Sequence, residues 1–277
     1  MHVHLLTCAE LPDLYPDDHI LRDALRTAGH TVSVGVWGDS LPTETTAAVV
    51  RSCWDYFGHQ TEFLRFLDGL VVPVYNHPAL IRWNSDKAYL KHMEDEGCVI
   101  VPTSFDGTLG NITADEIVVK PRVSNGGHGL WKCRRNEFTP EAVGERYGDR
   151  KLLIQPFLPS IAEGEYSVIL IAGQLTHVVH KQPAAGEFRV QHYHGGRYAR
   201  VDKPSNTLRW HTDLAYGSLC ALTGKSPLYV RFDFIMEREE CYLSEVEAIE
   251  PLLHFDLCPE AASRMVRALE LRHAATE

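Results

Sequence analysis

The stretch VVKPRVSNGGHGLWKC, residues 118–133, decides how the rest of the chain is read. An apolar run ends in Lys120, a run Asn125-Gly126-Gly127-His128-Gly129 follows, and the chain returns to Leu130-Trp131. The pattern predicts strand, glycine turn, strand, with Lys120 near the end of the first strand. A turn of this kind is most often an ordinary hairpin tip. It also suits a flap whose bare backbone amides close over phosphate oxygens, because glycine tolerates the required backbone angles and adds no bulk.

Composition narrows the choice. With 277 residues, 44% hydrophobic and 23% charged, the chain is an ordinary globular protein with room for about two domains. Its net charge of −10 argues against a nucleic-acid partner, which needs a basic face. An acidic protein must gather its cations locally to bind an anion, so a lysine beside a glycine loop is informative. MHVHLLTCAELPD has no basic leader and too short an apolar run for a signal peptide, and no segment approaches the ~18 apolar residues of a membrane span. The expectation is a cytoplasmic protein with no membrane partner. Seven scattered cysteines without a C-x-x-C pair speak against zinc and disulfide frameworks. Among fifteen histidines no H-E-x-x-H occurs; His2/His4 and His192/His194 have strand spacing that could serve a metal, though surface or core histidines are commoner.

The first third alternates strands and helices. HVHLLTC, TVSVGVW and VVRSCW predict strands, and Leu21, Ala24, Leu25 and Ala28 mark a helix that stops at Gly29. Phe63, Phe66, Leu67 and Leu70 repeat the helical stripe, giving a small doubly wound unit with a parallel sheet. NSDKAYLKHMEDEG predicts a linking helix with Asn84 or Ser85 as N-cap and Lys87 in its first turn. From Val99 the pattern is strand-rich, with IVVKPR, GLWKC, LLIQPF, EYSVILIAG, THVVHKQ and EFRVQHY as strands and little helix between them. A helix from about Ser205 to Gly224, a hairpin over YVRFDFIMEREECYLSEVEAIE and a final amphipathic helix complete the chain.

The hairpin carries the sharpest signal. Alternation puts Arg231 and Asp233 on one face of its first strand, and Leu243, Glu245 and Glu247 on one face of its second. A five-residue turn from Glu237 to Cys241 sets Asp233 opposite Glu245 and Arg231 opposite Glu247, a register that a slip of one residue breaks. A solvated sheet face is the commoner meaning of such charges. Facing carboxylates nevertheless repel unless something neutralises them, and Mg²⁺ does so while completing its shell with phosphate oxygens.

A glycine flap, lysines and a carboxylate platform in this order resemble the ATP-grasp superfamily, nearest to the glutathione-synthetase-like ligases. The resemblance implies an α/β chain with the ATP-grasp fold: a doubly wound domain over residues 1–84, then two α+β lobes, 85–157 and 158–277, clamping the nucleotide. It implies ATP and Mg²⁺ or Mn²⁺, two ions, as cofactors. Lys87 and Lys120 match the nucleotide lysines, and Gly126, Gly127 and Gly129 the phosphate flap. Gln155, Pro156, Phe157 and Leu158 match the adenine hinge, and Glu165 the ribose carboxylate with Glu163 beside it. Arg189 matches the arginine that reaches the transferring phosphoryl group, and Asp233, Glu245 and Glu247 the metal ligands. The last of these is commonly asparagine in the superfamily; Glu247 needs a second metal or Arg231 as counter-charge. No G-x-x-x-x-G-K-[ST] or G-x-G-x-x-G occurs, which excludes a P-loop and leaves a dinucleotide fold unsupported.

RSCWDYF, the NSDK start and SEVEAIEPLLHF also resemble a small subgroup that includes the ligase closing the D-cycloserine ring in antibiotic biosynthesis. The implied reaction activates a substrate carboxylate as an acyl phosphate, releasing ADP, for attack by an amine of the same or a second molecule. A homodimer stays open. So do three other readings: a small-molecule kinase, a nucleotide sensor, and a metal hydrolase built on His192 and His194.

Overall fold

Short runs of branched apolar residues at the start of the chain build an all-parallel sheet in the computed structural model, which describes residues 1–275. Strands β1 (His2–Thr7), β2 (Thr31–Val36), β3 (Ala47–Ser52) and β4 (Val74–Tyr75) lie in the order β2-β1-β3-β4. Val3, Leu5, Ala47 and Val49 pack on one face with helix α1 (Pro16–Thr27), and Leu6, Ala48 and Val50 on the other with α2 (Gln60–Asp68). Both faces of β1 and β3 are therefore covered, as a doubly wound unit requires. Pro16 opens α1, and Asp17 and Asp18 occupy its positive first turn.

Helices α3 (Pro78–Asn84) and α4 (Tyr89–Asp95) lead to an antiparallel three-stranded sheet, β5 (Glu116–Pro121), β6 (Trp131–Arg134) and β7 (Leu152–Pro156), in the order β6-β5-β7. Helix α5 (Pro140–Tyr147) packs beside it. The second lobe is an antiparallel five-stranded sheet of β8 (Glu165–Ile171), β9 (Gln174–Gln182), β10 (Arg197–Arg200), β11 (Tyr229–Glu237) and β12 (Glu240–Glu247). Val168, Leu170, Val230 and Phe232 face α4 and helix α6 (Asn206–Thr223), whose N-cap is Ser205. Ile169, Ile171 and Tyr229 face the first sheet and helix α7 (Pro259–Ala274), which buries Ala262, Met265, Val266 and Leu269.

Buried polar groups fasten the parallel sheet to the large one. Asn76 donates to the carbonyls of Tyr229 and Ala248 at 2.7 and 2.9 Å. Tyr229 donates its hydroxyl to Val50 O and Ile249 O at 2.5 and 2.9 Å. These partners satisfy carbonyls that water does not reach.

Five expectations need correction. Asn84 and Ser85 end α3 instead of capping the next helix, and Lys87 lies in the connection before α4. Asn84 is spent elsewhere: it donates to Val246 O at 2.8 Å and accepts from Ala248 N at 2.7 Å, mending the end of β12. EFRVQHY is a loop ending in a turn of 3-10 helix at His192–His194, not a strand. The strand-rich region holds the eight-residue helix α5, capped by Thr139. The hairpin turn is shorter than five residues, since Glu237 already pairs with Glu240. Leu243 does not share a face with Glu245; it is buried beside Phe232, Phe234 and Val246.

Candidate active site

The carboxylate platform forms by a compensation in the hairpin. The tight turn alone would shift the register by one, but an irregularity between Asp233 and Phe234 leaves Ser244 as an extra residue. Beyond it Asp233 pairs with Glu245 and Arg231 with Glu247, the register expected from the alternation. One carboxylate oxygen each from Asp233, Glu245 and Glu247 lies within 4.8 Å of the others. Three convergent hard oxygens fit a divalent cation.

The platform is neutralised by side chains from three strands. Arg231 donates to both oxygens of Asp233, at 2.9 and 2.8 Å, and also to Glu247 and to Leu252 O. Lys181 on β9 lies 2.5 Å from Glu165 and 3.4 Å from Asp233. Burial opposes ionisation of Asp233, yet the Arg231 and Lys181 charges and the Ser167 hydroxyl hold its carboxyl well below the usual range. Glu247 is pushed up to about 7 by burial and by its carboxylate neighbours, against the pull of Arg231.

Between the three-stranded and five-stranded sheets lies a cavity lined by Lys87, Lys120, Gly126, Gln155, Arg189 and Glu245 among others. Lys87 bonds Ser124 and approaches Glu245 at 3.1 Å. Lys120, at the end of β5, makes no ion pair among the described residues. Burial pushes its ammonium below the ordinary value; Glu245 opposes this and Lys87 adds to it. Such a cation facing a cavity is primed for an anion. Pro156, Phe157 and Leu158 form the cavity's other end, where Phe157 meets Phe188 edge-on at 6.0 Å and Lys132 covers its ring at 3.5 Å.

The glycine turn projects over this space. Gly126, Gly127 and Gly129 have φ of 55°, 75° and 74°, angles that only glycine adopts freely. A Cβ on Gly126 would lie 2.9 Å from the Tyr193 hydroxyl, so the flap meets the loop that carries Arg189, Gln191 and Tyr193. Asn125 ties the flap's base to Trp54 O of the first domain at 3.0 Å and to Glu250, just beyond β12, at 3.3 Å. Arg189 stands on that second loop, paired with Glu187 at 2.7 Å.

A second cavity adjoins the first and shares Asn125, Gly126, Glu165, Gln191 and Glu245 with it. The platform residues Asp233 and Glu247 line it, facing Tyr15, Trp54, Tyr198 and His254. Arg231 lines only this second cavity. Glu163 is exposed and Gly129 packs on Pro121; neither lines either space. His192 and His194 join no cluster of metal-ligating side chains among the described residues, and His2 and His4 both bond Ser33 at 2.8 Å. Lys181, Tyr198, Glu250 and His254 had no expected role. Lys181 had a partial signal: EYSVILI folds back on THVVHKQ, and a register shift between Ile169 and Leu170 brings Lys181 opposite Glu165.

A parallel-sheet domain followed by two antiparallel lobes around a lysine-lined cavity and a carboxylate platform is the ATP-grasp architecture. Residues 3–76 match the family model of the D-cycloserine synthetase DcsG N-terminal domain, and residues 110–247 that of the prokaryotic glutathione synthetase ATP-grasp domain. The chain is 26% identical to the glutathione synthetase of Bordetella parapertussis strain 12822 over 303 residues, spanning 91% of this chain and 92% of that protein. It is 28% identical over 184 residues to the cycloserine biosynthesis protein DcsG of Streptomyces lavendulae, spanning 58% of this chain and 60% of that one. The crystal structure of D-cycloserine synthetase DcsG superposes with a TM-score of 0.87 at 24% identity, covering 99% of this chain and 100% of that chain. The chain belongs to the ATP-grasp superfamily, among the glutathione-synthetase-like ligases. It is an ADP-forming carbon–nitrogen ligase that uses ATP and divalent metal ions.

Proposed function

We propose that the protein activates the carboxylate of an O-substituted serine and closes it on the oxygen-bearing nitrogen of the same molecule. With O-ureido-D-serine the closed ring carries the carbamoyl group on that nitrogen, and water removes the group as carbon dioxide and ammonia to leave D-cycloserine. The observation that carries this reading is the origin of the second cavity's wall. Tyr15 and Trp54 come from the segment that matches the cycloserine-synthetase N-terminal domain, so that segment shapes the space beside the carboxylate platform.

In this reading Lys87, Lys120 and the amides of Gly126 and Gly127 hold the ATP phosphates, and Pro156 to Leu158 hold adenine by backbone groups. Glu165 takes the ribose, a role it shares with pairing Lys181. Asp233, Glu245 and Glu247 hold two Mg²⁺ ions, which supply charge neutralisation on the phosphate oxygens. Arg189 leaves Glu187 to steady the transferring phosphoryl group and then the tetrahedral oxyanion, a contact commonly worth ~10²-fold in rate. The flap and the Tyr193 loop exclude water that would hydrolyse the acyl phosphate. Ring closure then gains the effective molarity of an internal nucleophile. We place the domain limits near residues 84 and 157, and the reaction in the cytoplasm.

The test is ATP turnover with O-ureido-D-serine and no added amine. ADP release with a five-membered isoxazolidinone supports the reading. Turnover only with a second amine makes the protein an intermolecular amide ligase, and a stable phosphorylated product makes it a kinase.

A further inference from the structure

His254 lies in the connection between β12 and α7, 2% exposed, and borders the second cavity together with Arg231, Asp233 and Glu247. Its Nε2 is buried and has no hydrogen-bond partner among the described residues. The Tyr198 ring stands edge-on to the imidazole at 5.1 Å, with the planes at 87°, and fixes its plane. The backbone at His254 has φ of 53°, the left-handed region that a non-glycine residue adopts only under strain. An unpaired buried polar atom adds a desolvation penalty that no contact offsets. Two such costs at one cavity-facing residue call for a function.

We propose that His254 is the proton acceptor of the second half-reaction, receiving at Nε2 the proton that the attacking nitrogen loses. The inference rests on the acyl-phosphate reading above. The nitrogen forms a bond to the acyl carbon, the bond from that carbon to the phosphate oxygen breaks, and phosphate leaves with the electron pair. The nitrogen's proton passes to Nε2 and then to solvent. A nitrogen that carries oxygen and an acyl substituent becomes strongly acidic as it bonds to the acyl carbon, so a neutral acceptor must take its proton while the bond forms. Burial, with the Arg231, Lys181 and His177 charges and against a weaker pull from Asp233, keeps the imidazole neutral, so Nε2 is open to a proton. The same surroundings make the imidazolium short-lived, and the proton passes on. It stands apart from the phosphate-binding lysines, so the first half-reaction does not use it.

The experiment compares the wild type with His254→Asn and His254→Gln. Asparagine tolerates the left-handed backbone best, and glutamine keeps more of the volume; neither accepts a proton. Product formed per ADP released is measured with ATP and O-ureido-D-serine, and with a panel of amino acids and amine acceptors. The wild type should give a ratio near one. The variants should keep ADP release and the wild-type unfolding midpoint, while the ratio falls ~10-fold or more as water takes the acyl phosphate. A ratio that stays near one in a folded variant overturns the proposal. So does a folded variant in which ADP release is lost along with product. If the wild type releases ADP only with a pair from the panel, the ring-closing reading has failed, and the same ratio on that pair decides the role of His254.

Discussion

Arg231 grips Asp233 through two parallel hydrogen bonds, 2.9 and 2.8 Å long, and the nitrogen of the second also serves Glu247. The guanidinium therefore stays paired when Glu247 is removed. Glu247→Asn should retain most of its stability and lose less turnover than Glu245→Gln, which takes a carboxylate from the point nearest Lys87. Arg231→Met should instead leave two carboxylates facing each other with Lys181 alone. Breaking a buried pair in this way costs about 3–5 kcal/mol. Denaturant unfolding of the three metal-free variants checks the order, and a Glu247→Asn enzyme less active than Glu245→Gln contradicts it.

In the empty protein, burial of the Lys120 charge outweighs the attraction of Glu245. Lys120→Met keeps the methylene stem, so the unfolding midpoint without nucleotide should hold or rise. ATP affinity should fall ~10-fold or more, because the phosphates lose a desolvated cation at close range. Calorimetric titration with a non-hydrolysable ATP analogue gives the number; unchanged affinity removes Lys120 from the site.

At Gly126 a methyl group meets two obstacles, a φ of 55° and the Tyr193 hydroxyl at 2.9 Å. The tyrosine can swing away, so Gly126→Ala should cost about 1–2 kcal/mol of stability, the penalty of the left-handed backbone. The two loops would no longer close on each other. ADP release without product should increase several-fold, whereas Gly144→Ala, which meets nothing within 4 Å, should leave the product-to-ADP ratio unchanged.

Glu250 provides a test by pH. Burial and the nearby Glu247 push its carboxyl up to about 8, while Asn125 lowers it slightly. The folded value exceeds the unfolded one, ordinarily about 4.3, so this group's contribution is fully present below that value. It is lost as pH rises towards 8. Glu250→Gln removes the dependence. The variant should match or trail the wild type at pH ~5 and exceed it by roughly 1–3 kcal/mol at pH ~8.5. Equal stability differences at both pH values would mean that Glu250 ionises freely.

How much of this could be read in advance depends on the range of the interactions. Alternation along YVRFDFI and SEVE fixes which charges share a face, and the Asp233–Glu245 register follows. The bulge at Ser244 has no local signature; Leu243 pairs with Phe234 in the register of the tight turn, and the shift beyond it brings Glu245 opposite Asp233. Asn84 has the composition of an N-cap, yet its amide is drawn to the end of β12, a partner more than 160 residues away. Tyr15, Trp54 and His254 reach the second cavity from three separate connections, and no spacing in the chain joins them. The carboxylate platform and the lysine-lined cavity, built on hairpins and a glycine turn, were legible; the second cavity, assembled by tertiary packing, was not.

The fate of the carboxylate oxygens tests the first half-reaction directly. If a carboxylate oxygen attacks the γ-phosphorus, that oxygen becomes the bridge of the acyl phosphate. Nitrogen attack then breaks the bond between carbon and the bridge, and the oxygen leaves on phosphate. A substrate labelled with heavy oxygen at both carboxylate positions should deliver one label to the released phosphate and keep the other in the ring carbonyl. The measurement is mass spectrometry of phosphate and product from one reaction. Phosphate free of label, formed together with product, would mean that ATP hydrolysis and bond formation are not joined through an acyl phosphate. Label retained in a stable phosphorylated product would mean that transfer stops at the first step. The same sample reports whether Lys120 and Arg189 variants fail before or after the bridge forms, since only a variant that reaches it can move label.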